Sequence, residues 1–530
     1  MYEFLETEMG VRWVFPGKLG EYIPHREQIT IGELDRSLEP RFMSTVLVAD
    51  AEWLHRVDGW SRPEARDEFM RAQQKFLLRH RLNEPAQSLK YGHAFGNNAQ
   101  QVDKERIWWK RFGKTHPEYF NRLPDGTRRP LAGDEDGKYI TMCVSNPALH
   151  QQIVADWKQY RTEWRPFVNA CENDSPGMCT CERCRSWDLK QAAFNGHPYW
   201  DLGQIPTWRE RWAMFRHKPN PSLSNRYARF YLAVQKEAER VDPEAVVFGY
   251  AYANYEDPPI GVKLNERIII SFVSDFSDGF PWTPEKLERF KELWQGWRDT
   301  GARLMLRPNW THAGHTMPLF YARELHEAVS FAAKHGMIGS RFDSLTGQWA
   351  AQGPTLYVLA RLNVRPDQPV EQMLDEYYSA FGPAEEHVRA YFDFWDKVSK
   401  SVTQEEWDWY GRQWGGFIYR NWLLGADLLF TPRVMTHGEE LLKRAIKAAQ
   451  GNQLAEQRVA YLEKGFRHAD LTVRALRAYK GYRQDKVTRQ HLAKVLRDLR
   501  AYRREMEGSF AANLGYAKLR DVWSWSLAGE

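Results

Sequence analysis

The sequence predicts an α/β protein. A (β/α)8 barrel covers residues 40–365, an α-helical domain covers 366–530, and residues 1–39 are a remnant of an N-terminal α/β domain. Three observations carry this. Short apolar, β-rich runs alternate with amphipathic helical stretches from residue 40 to about 365, the pattern of parallel βαβ units. The runs number eight, enough to close a barrel. Beyond residue 366 the strand signal stops and apolar positions recur three and four apart.

In chain order the expected strands are 42–50, 88–95, 138–145, 166–174, 245–254, 267–275, 303–310 and 337–345. Helical stretches at 64–82, 148–164, 224–241, 283–301 and 322–336 separate most of them. An open doubly wound sheet is the alternative, but it would carry a glycine-rich phosphate loop after its first strand, and LVADAEWLH is not one. The connections around 96–137 and 175–218 are long and follow C-terminal strand ends, the face on which barrel enzymes build sites. In the helical region, 370–381, 384–400, 439–450 and the Arg/Lys-rich stretch 454–507 read as helices with solvated charged faces. Residues 1–33 are too few to form a core and are expected to dock on the barrel or to end a larger domain.

Composition narrows the partners. Lys+Arg of 74 against Asp+Glu of 69 leaves +5, dispersed along the chain, which is no nucleic-acid footprint. No apolar stretch of about 18 residues is present, so a transmembrane helix is excluded and no membrane partner is expected. The first residues, MYEFLETEMGVRWVFPG, lack the basic start and apolar core of a secretory signal. With 23 Trp, 24 Tyr and 27 Phe, many beside hydrogen-bonding residues in loops, the expected partner is carbohydrate. Packing of Trp-rich helices is the structural alternative.

Strand ends supply the candidate site residues: Asp50 and Glu52, His93 with Asn97 and Asn98, Asn146, Glu172-Asn173-Asp174, Tyr250, Tyr252 and Asn254, Asp275 and Asp278, then Arg307, Asn309, Trp310, His312 and His315, and finally Arg341, Asp343 and Trp349. Glycosidic cleavage needs one group to protonate the leaving oxygen and a second to stabilise the anomeric carbon or activate its attacker, and carboxylates do both. Glu172 and Asp174 alternate onto one side of a strand and are the expected catalytic pair, unless they only hold the following loop. Asn173, His93, Tyr250, Tyr252, Asn309, Trp310, His312, Asp343 and Trp349 are expected to bind substrate.

All five cysteines fall at 143, 171, 179, 181 and 184, a local site and no disulfide framework. Cys179, Cys181 and Cys184, with Cys143 or Cys171 nearby, suit a structural tetrahedral zinc; a disulfide with a spare thiol is the rival. No cofactor is expected for catalysis.

The runs MYEFLETEMGVRWVFPG, HPEYF with DGTRRP, CVSNPAL, ENDSPGMCTCERCRSWD and LYVLARLNVRPDQPVEQMLDEYYSAFGPAEEHVRAYF, in that order, resemble the bacterial domain-of-unknown-function family 4838 over about residues 2–395. The resemblance implies a layout similar to α-glucuronidases, with an N-terminal α/β domain, a barrel and a helical C-terminal region. Some members are endo-β-N-acetylglucosaminidases in which the substrate's acetamido group is thought to be the nucleophile. It therefore implies a glycoside hydrolase with Glu172 as general acid and Asp174 orienting the acetamido group. Relatives are usually exported, whereas this sequence shows no signal, which points to a truncated chain or an intracellular relative.

Three function classes stand at this stage. A glycoside hydrolase requires two carboxyl groups facing an aromatic cleft. A non-catalytic carbohydrate-binding barrel requires the cleft alone. A metal-dependent hydrolase or lyase requires His93, His312, His315 and Asp343 to converge on one ion.

Overall fold

The runs Val247–Ala251 and Ile268–Phe272 show no polar alternation, and every residue in them is buried. Such strands belong to parallel sheets covered on both faces. In the computed structural model they are β5 and β6 of a six-stranded sheet with β3 (Ser44–Ala49), β4 (Val168–Asn169), β7 (Arg303–Leu306) and β8 (Met337–Leu345). The order is β3-β8-β7-β6-β5-β4, every neighbouring pair parallel. The last strand pairs with the first, so the sheet is a curled parallel half-barrel. The structure describes all residues except 36, 38, 50–58, 83–88, 97–106, 178, 190–204, 206, 208–221, 274–279, 416–418 and 526–530.

Two of the expected strands, 88–95 and 138–145, are not strands of this sheet. Residues 89–96 run alongside 164–173 in the same direction, through Lys90 N to Trp164 O (2.7 Å) and Ala94 N to Cys171 O (3.0 Å). Gly92, at φ 136°, interrupts any regular ladder. The 138–145 segment meets the long preceding loop instead, in an antiparallel bridge of Met142 with Phe120. The cause is local: the Asp134 carboxylate accepts from the amides of Lys138 and Tyr139 (2.9 Å each), holding the start of the run in a turn. The fourth expected strand, 166–174, pairs only at Val168–Asn169.

Two of the helices start at clear capping signals. Asn146 caps Pro147–Tyr160 by accepting from Ala148 N, and Thr283 caps Pro284–Arg298 by accepting from Lys286 N, each with proline at the first helical position. Pro63–Arg79, Ser224–Ala238 and Ala322–Lys334 complete the set read from the sequence. Trp349–Leu362 was not expected; it is buried on every side and so has no amphipathic period to read. Past it, the 454–507 stretch divides into Gln453–Arg483 and Arg489–Met506, separated at Asp485 (φ 57°). Among the described residues no helix is long and apolar enough to cross a membrane.

The N-terminal piece, a helix Tyr2–Thr7 and a hairpin of β1 (Arg12–Trp13) with β2 (Glu21–Tyr22), docks mainly on helices. Arg361, 1% exposed, pairs with Glu6 (2.9 Å) and Glu376 (3.1 Å), and Arg458 donates to the carbonyls of Leu19 (2.9 Å) and Glu21 (2.7 Å). Phe15 stacks on Tyr461. His80, at the end of Pro63–Arg79, donates from Nε2 to Trp13 O (2.9 Å).

Burial, opposed by Glu6, pulls the His80 pKa down to about 4. The unfolded chain therefore takes up this proton first as pH falls; the stability is fully present above about 6.5 and is lost towards 4. We expect His80→Gln, which keeps a donor for Trp13, to lose less stability than wild type between pH 7 and 4.5, by on the order of 2–3 kcal/mol. Urea unfolding at the two pH values measures it, and equal losses would assign the titration to other groups.

Candidate active site and cysteine cluster

Past Asn169 the chain leaves the sheet, and Glu172-Asn173 is buried completely. Glu172 Oε2 accepts from Met142 N (3.1 Å) and Tyr227 Oη (3.1 Å), and its Oε1 accepts from Asn173 N (2.9 Å). Asn173 Oδ1 accepts from Phe95 N (3.1 Å) while its Nδ2 donates to Ile140 O (2.5 Å). These two side chains stitch 89–96 and 138–145 to the end of β4. Gly96 makes this approach feasible, since a Cβ there would sit 2.0 Å from Lys138 O.

One residue on, the Asp174 side chain is 15% exposed. Its Oδ1 accepts from Tyr252 Oη (2.7 Å) and lies 3.7 Å from His93 Nε2. His93 Nδ1 is 2.8 Å from the Glu172 carbonyl, which can only accept, so Nδ1 carries the hydrogen. Burial lowers the His93 pKa against the pull of Asp174, keeping the ring neutral at pH 7 with its Nε2 lone pair towards that carboxylate. The rings of Tyr250 and Tyr252 stand 5.2 and 5.6 Å from His93.

Across the mouth, Arg307 beyond β7 donates to Asp343 Oδ2 on β8 (2.6 Å) and to Asn309 Oδ1 (3.0 Å). Burial alone would raise the Asp343 pKa, but Arg307, then His312, Arg341 and His93, hold it below the usual carboxylate range. Burial likewise works against the Arg307 charge, and Asp343, Tyr250, Tyr252 and Asp174 overcome it. Asp174 and Asp343 thus share one electrostatic neighbourhood around Arg307 and His93.

The remaining expected residues divide. Trp310 and Trp349 are 1% and 0% exposed, the first packed on Phe290 and Phe342, the second on Phe76 with its indole N–H donating to Gln73; neither has a face for a sugar. His312 accepts at Nδ1 from Arg520 (2.8 Å), and His315 Nε2 lies 3.4 Å from Asp521, both partners on the helix Leu514–Ser524. Asp521 also pairs with Arg503, whose Nε donates to His468 (2.9 Å). This engagement of His312 and His315 leaves the four-residue metal centre of the third reading unassembled. Asn254 holds Gly177 through both amide atoms (2.9 Å each), next to Ala253 in the left-handed region (φ 61°). Asp50, Glu52, Asn97, Asn98, Asp275 and Asp278 lie outside the described residues.

Arg520, Asp521, Arg503 and His468 carried no sequence signal, being separated from the barrel loop by most of the helical domain. Tyr91 had one: it precedes His93 by two residues, as Arg341 precedes Asp343, and alternation places such pairs on one face.

Cys143, Cys179, Cys181 and Cys184 place their sulfurs within 4.8 Å of one another, the one group of this kind among the described residues that could hold a metal ion. All five cysteines are free thiols, and Cys171 stands apart, its Sγ against Phe248 O (3.7 Å). Cys143 Sγ is 3.6 Å from Cys181 Sγ and 4.0 Å from Cys184 Sγ. Amides of Arg122 and Cys184 donate to Cys179 and Cys181 (3.3 and 3.4 Å), and hydrogen bonding from Cys143 holds the Cys181 thiol far below the usual range.

The family model described as a domain of unknown function, DUF4838, matches residues 15–393. No curated protein and no solved structure matches the chain.

Glu172 spends both oxygens on buried donors, so Glu172→Gln turns one acceptor into an N–H group and leaves a donor unmatched. We expect a loss of about 1–3 kcal/mol in denaturant unfolding; an unchanged midpoint would show that the three hydrogen bonds do not hold the segment.

Proposed function

The chain belongs to the DUF4838 family, and from that premise we propose that it is a glycoside hydrolase of complex glycans or polysaccharides, working in the mouth of a barrel that 89–96 and 138–145 complete. The observation that carries this is the pair Asp174 and Asp343, 15% and 26% exposed, facing Arg307 and His93 within a Tyr-lined mouth. Asp174 is the proton donor to the leaving oxygen, with Tyr252 fixing its carboxyl and the neutral His93 beside it to exchange the proton. Asp343, kept ionised by Arg307, stabilises positive charge at the anomeric carbon or supports an acetamido group that attacks it. Glu172 takes the positioning role in this scheme, because its oxygens are enclosed and saturated. A non-catalytic binding barrel would need the tyrosines but not a carboxylate held ionised by an arginine.

The four cysteines suit structural zinc. Tetrahedral Zn–S bonds of about 2.3 Å put sulfurs about 3.8 Å apart, and the two Cys143 separations of 3.6 and 4.0 Å bracket that value. Arg128 lies against the cluster, where Cys143, Cys179 and Cys181 overcome burial to raise its pKa, as a group balancing thiolate charge would show. Zinc would tie 138–145 to the loop after Asp174 and close it.

Asp174→Asn and Asp343→Asn are each expected to lower kcat/KM on a panel of aryl glycosides and N-glycans by about 10²–10⁴-fold in protein that still folds, with a lower unfolding midpoint for Asp343→Asn because it leaves Arg307 without its carboxylate. Full activity in both would end this assignment, and no turnover by wild type would favour the binding barrel. Metal analysis should find one zinc per chain in wild type and none in Cys143→Ser, with a lower melting temperature; a metal-free, equally stable wild type would leave the cluster as thiols.

A further inference from the structure

Between Leu471 and Arg504 the sequence carries eleven Arg and Lys against two Asp and no Glu. That is +9 in 34 residues of a chain whose total is +5, so the remaining residues together come to −4. The charge is small in total and concentrated here. The structure divides these cations into two groups. Those of the helix Gln453–Arg483 are engaged: Arg474 pairs with Asp470 (2.8 Å), Arg477 donates to Phe430 O, Lys480 pairs with Asp427 (2.5 Å) and Arg483 donates to Tyr479 Oη (3.1 Å). Past the turn, Arg503 is taken by Asp521 and Lys494 by Asp498. Lys486, Arg489, Arg497 and Arg504 are exposed and make no ion pair or side-chain hydrogen bond among the described residues.

At 3.6 residues per turn of the helix Arg489–Met506, Arg489, Arg497, Arg500 and Arg504 fall within about 80° of one another, in a stripe about 22 Å long. The two acids of this helix, Asp498 and Glu505, fall to one side of the stripe. Arg500 stands three residues from Arg497 and four from Arg504, the spacings at which like charges on a helix repel. Elsewhere the surface neutralises such cations: Lys291 sits between Glu288 and Glu327 (2.7 Å each), and Arg389 faces Asp375 and Glu385 (2.7 and 3.7 Å). A row of arginines left without acids matches a partner that brings its own row of anions, each able to meet a guanidinium in a charge-assisted fork.

The surroundings narrow the kind of polyanion. Tyr502, the one Tyr, Trp or Phe of this helix, is buried with Arg467 over its ring, so the stripe offers no platform on which bases would stack. Leu492, Leu496, Leu499 and Met506 are buried, so no apolar face is left to enter a lipid surface. Arg503, beside Arg504, joins Asp521, and Asp521 reaches His315 of the loop after β7, which ties the Arg504 end of the stripe to the mouth.

We propose that Arg489, Arg497 and Arg504, with Lys486 and Arg500 beside them, form a docking strip for an acidic polysaccharide, a glycan carrying carboxylate or sulfate groups along its chain, and lead that polymer towards the mouth. The choice of a glycan rests on the glycoside hydrolase reading; the strip adds the charge of the polymer and where it lies.

Binding of labelled polygalacturonate, dextran sulfate, neutral dextran and a short DNA duplex to the full chain, followed by fluorescence anisotropy over a series of salt concentrations, tests it. Wild type should bind at least one acidic polymer, which one distinguishing carboxylate from sulfate, and leave neutral dextran unbound. Arg489→Gln/Arg497→Gln/Arg504→Gln should weaken that binding about tenfold or more and lower the slope of log Kd against log salt by about two. The same variant should melt no lower than wild type, because removing like charges relieves their repulsion. Lys75→Gln/Lys114→Gln/Lys334→Gln, which removes as much charge from exposed sites elsewhere, should bind as wild type does. Equal losses in the two variants, a melting temperature that falls with the binding, neutral dextran or DNA bound as tightly as the acidic polymer, or no acidic polymer bound at all overturns the inference. Binding is read without turnover, so the two readings fail separately: glycan hydrolysis without acidic-polymer binding removes the strip alone, and acidic-polymer binding by a chain that cleaves no glycan removes the hydrolase reading alone.

Discussion

Where the sheet runs out of paired strands, the side chains of Glu172 and Asn173 take over the role of backbone pairing. A parallel sheet normally hands each amide to the next strand, but beyond β4 the neighbouring chain is irregular and its amides would be stranded in a dry interior. Met142 N, Phe95 N and the Ile140 carbonyl find partners because a carboxylate and an amide reach out to them. Buried polar groups joined in this way are costly to break and specify one arrangement. Asp174 inherits that arrangement: it follows the two pinned residues, and His93, bonded to the Glu172 carbonyl, is fixed by the same knot. The placement of the Asp174 carboxylate thus depends on two neighbours whose own polar side chains are spent on backbone groups.

The difference in burial between Glu172 and Asp174 shows where the sequence speaks and where it is silent. Six expected strands occupy the sheet, and two of the helices between them begin at the caps their residues announce, because Asn146-Pro147 and Thr283-Pro284 act through local hydrogen bonds that need no tertiary context. The runs at 88–95 and 138–145 have the composition of strands and are not strands of the sheet, since Gly92 at positive φ breaks the first and the Asp134 turn engages the opening amides of the second. The acidic motif was visible, but alternation alone could not distinguish an enclosed Glu172 from an accessible Asp174; that depends on Tyr227, contributed by a helix 55 residues further on. Trp310 and Trp349 looked like sugar platforms because tryptophan suits both roles, and only burial separates them. The cysteine run declared a local site, and the fold selected Cys143 over Cys171 as its fourth member.

The helical region is more than a buttress. Its final described helix supplies Arg520 to His312 and Asp521 to His315, and behind them Arg503 and His468 extend the buried polar chain. Burial drives the His468 pKa well down, with Arg503 acting in the same direction, so this ring is a neutral acceptor for the arginine. The loop after β7, which bears Asn309 and leads towards His312, is therefore held by the helical region as well as by the sheet.

The contact between His312 and Arg520 spans 208 residues of chain. During synthesis at about 5–20 residues per second, the barrel loop leaves the ribosome on the order of ten seconds or more before its partner is made. The pairing of β3 with β8 spans still more chain, from Ser44 to Gly339, yet both of its strands are made before Arg520. The mouth of the half-barrel therefore reaches its described shape only once the helical region has folded back onto it, so the timing of translation sets the earliest moment at which this contact can form.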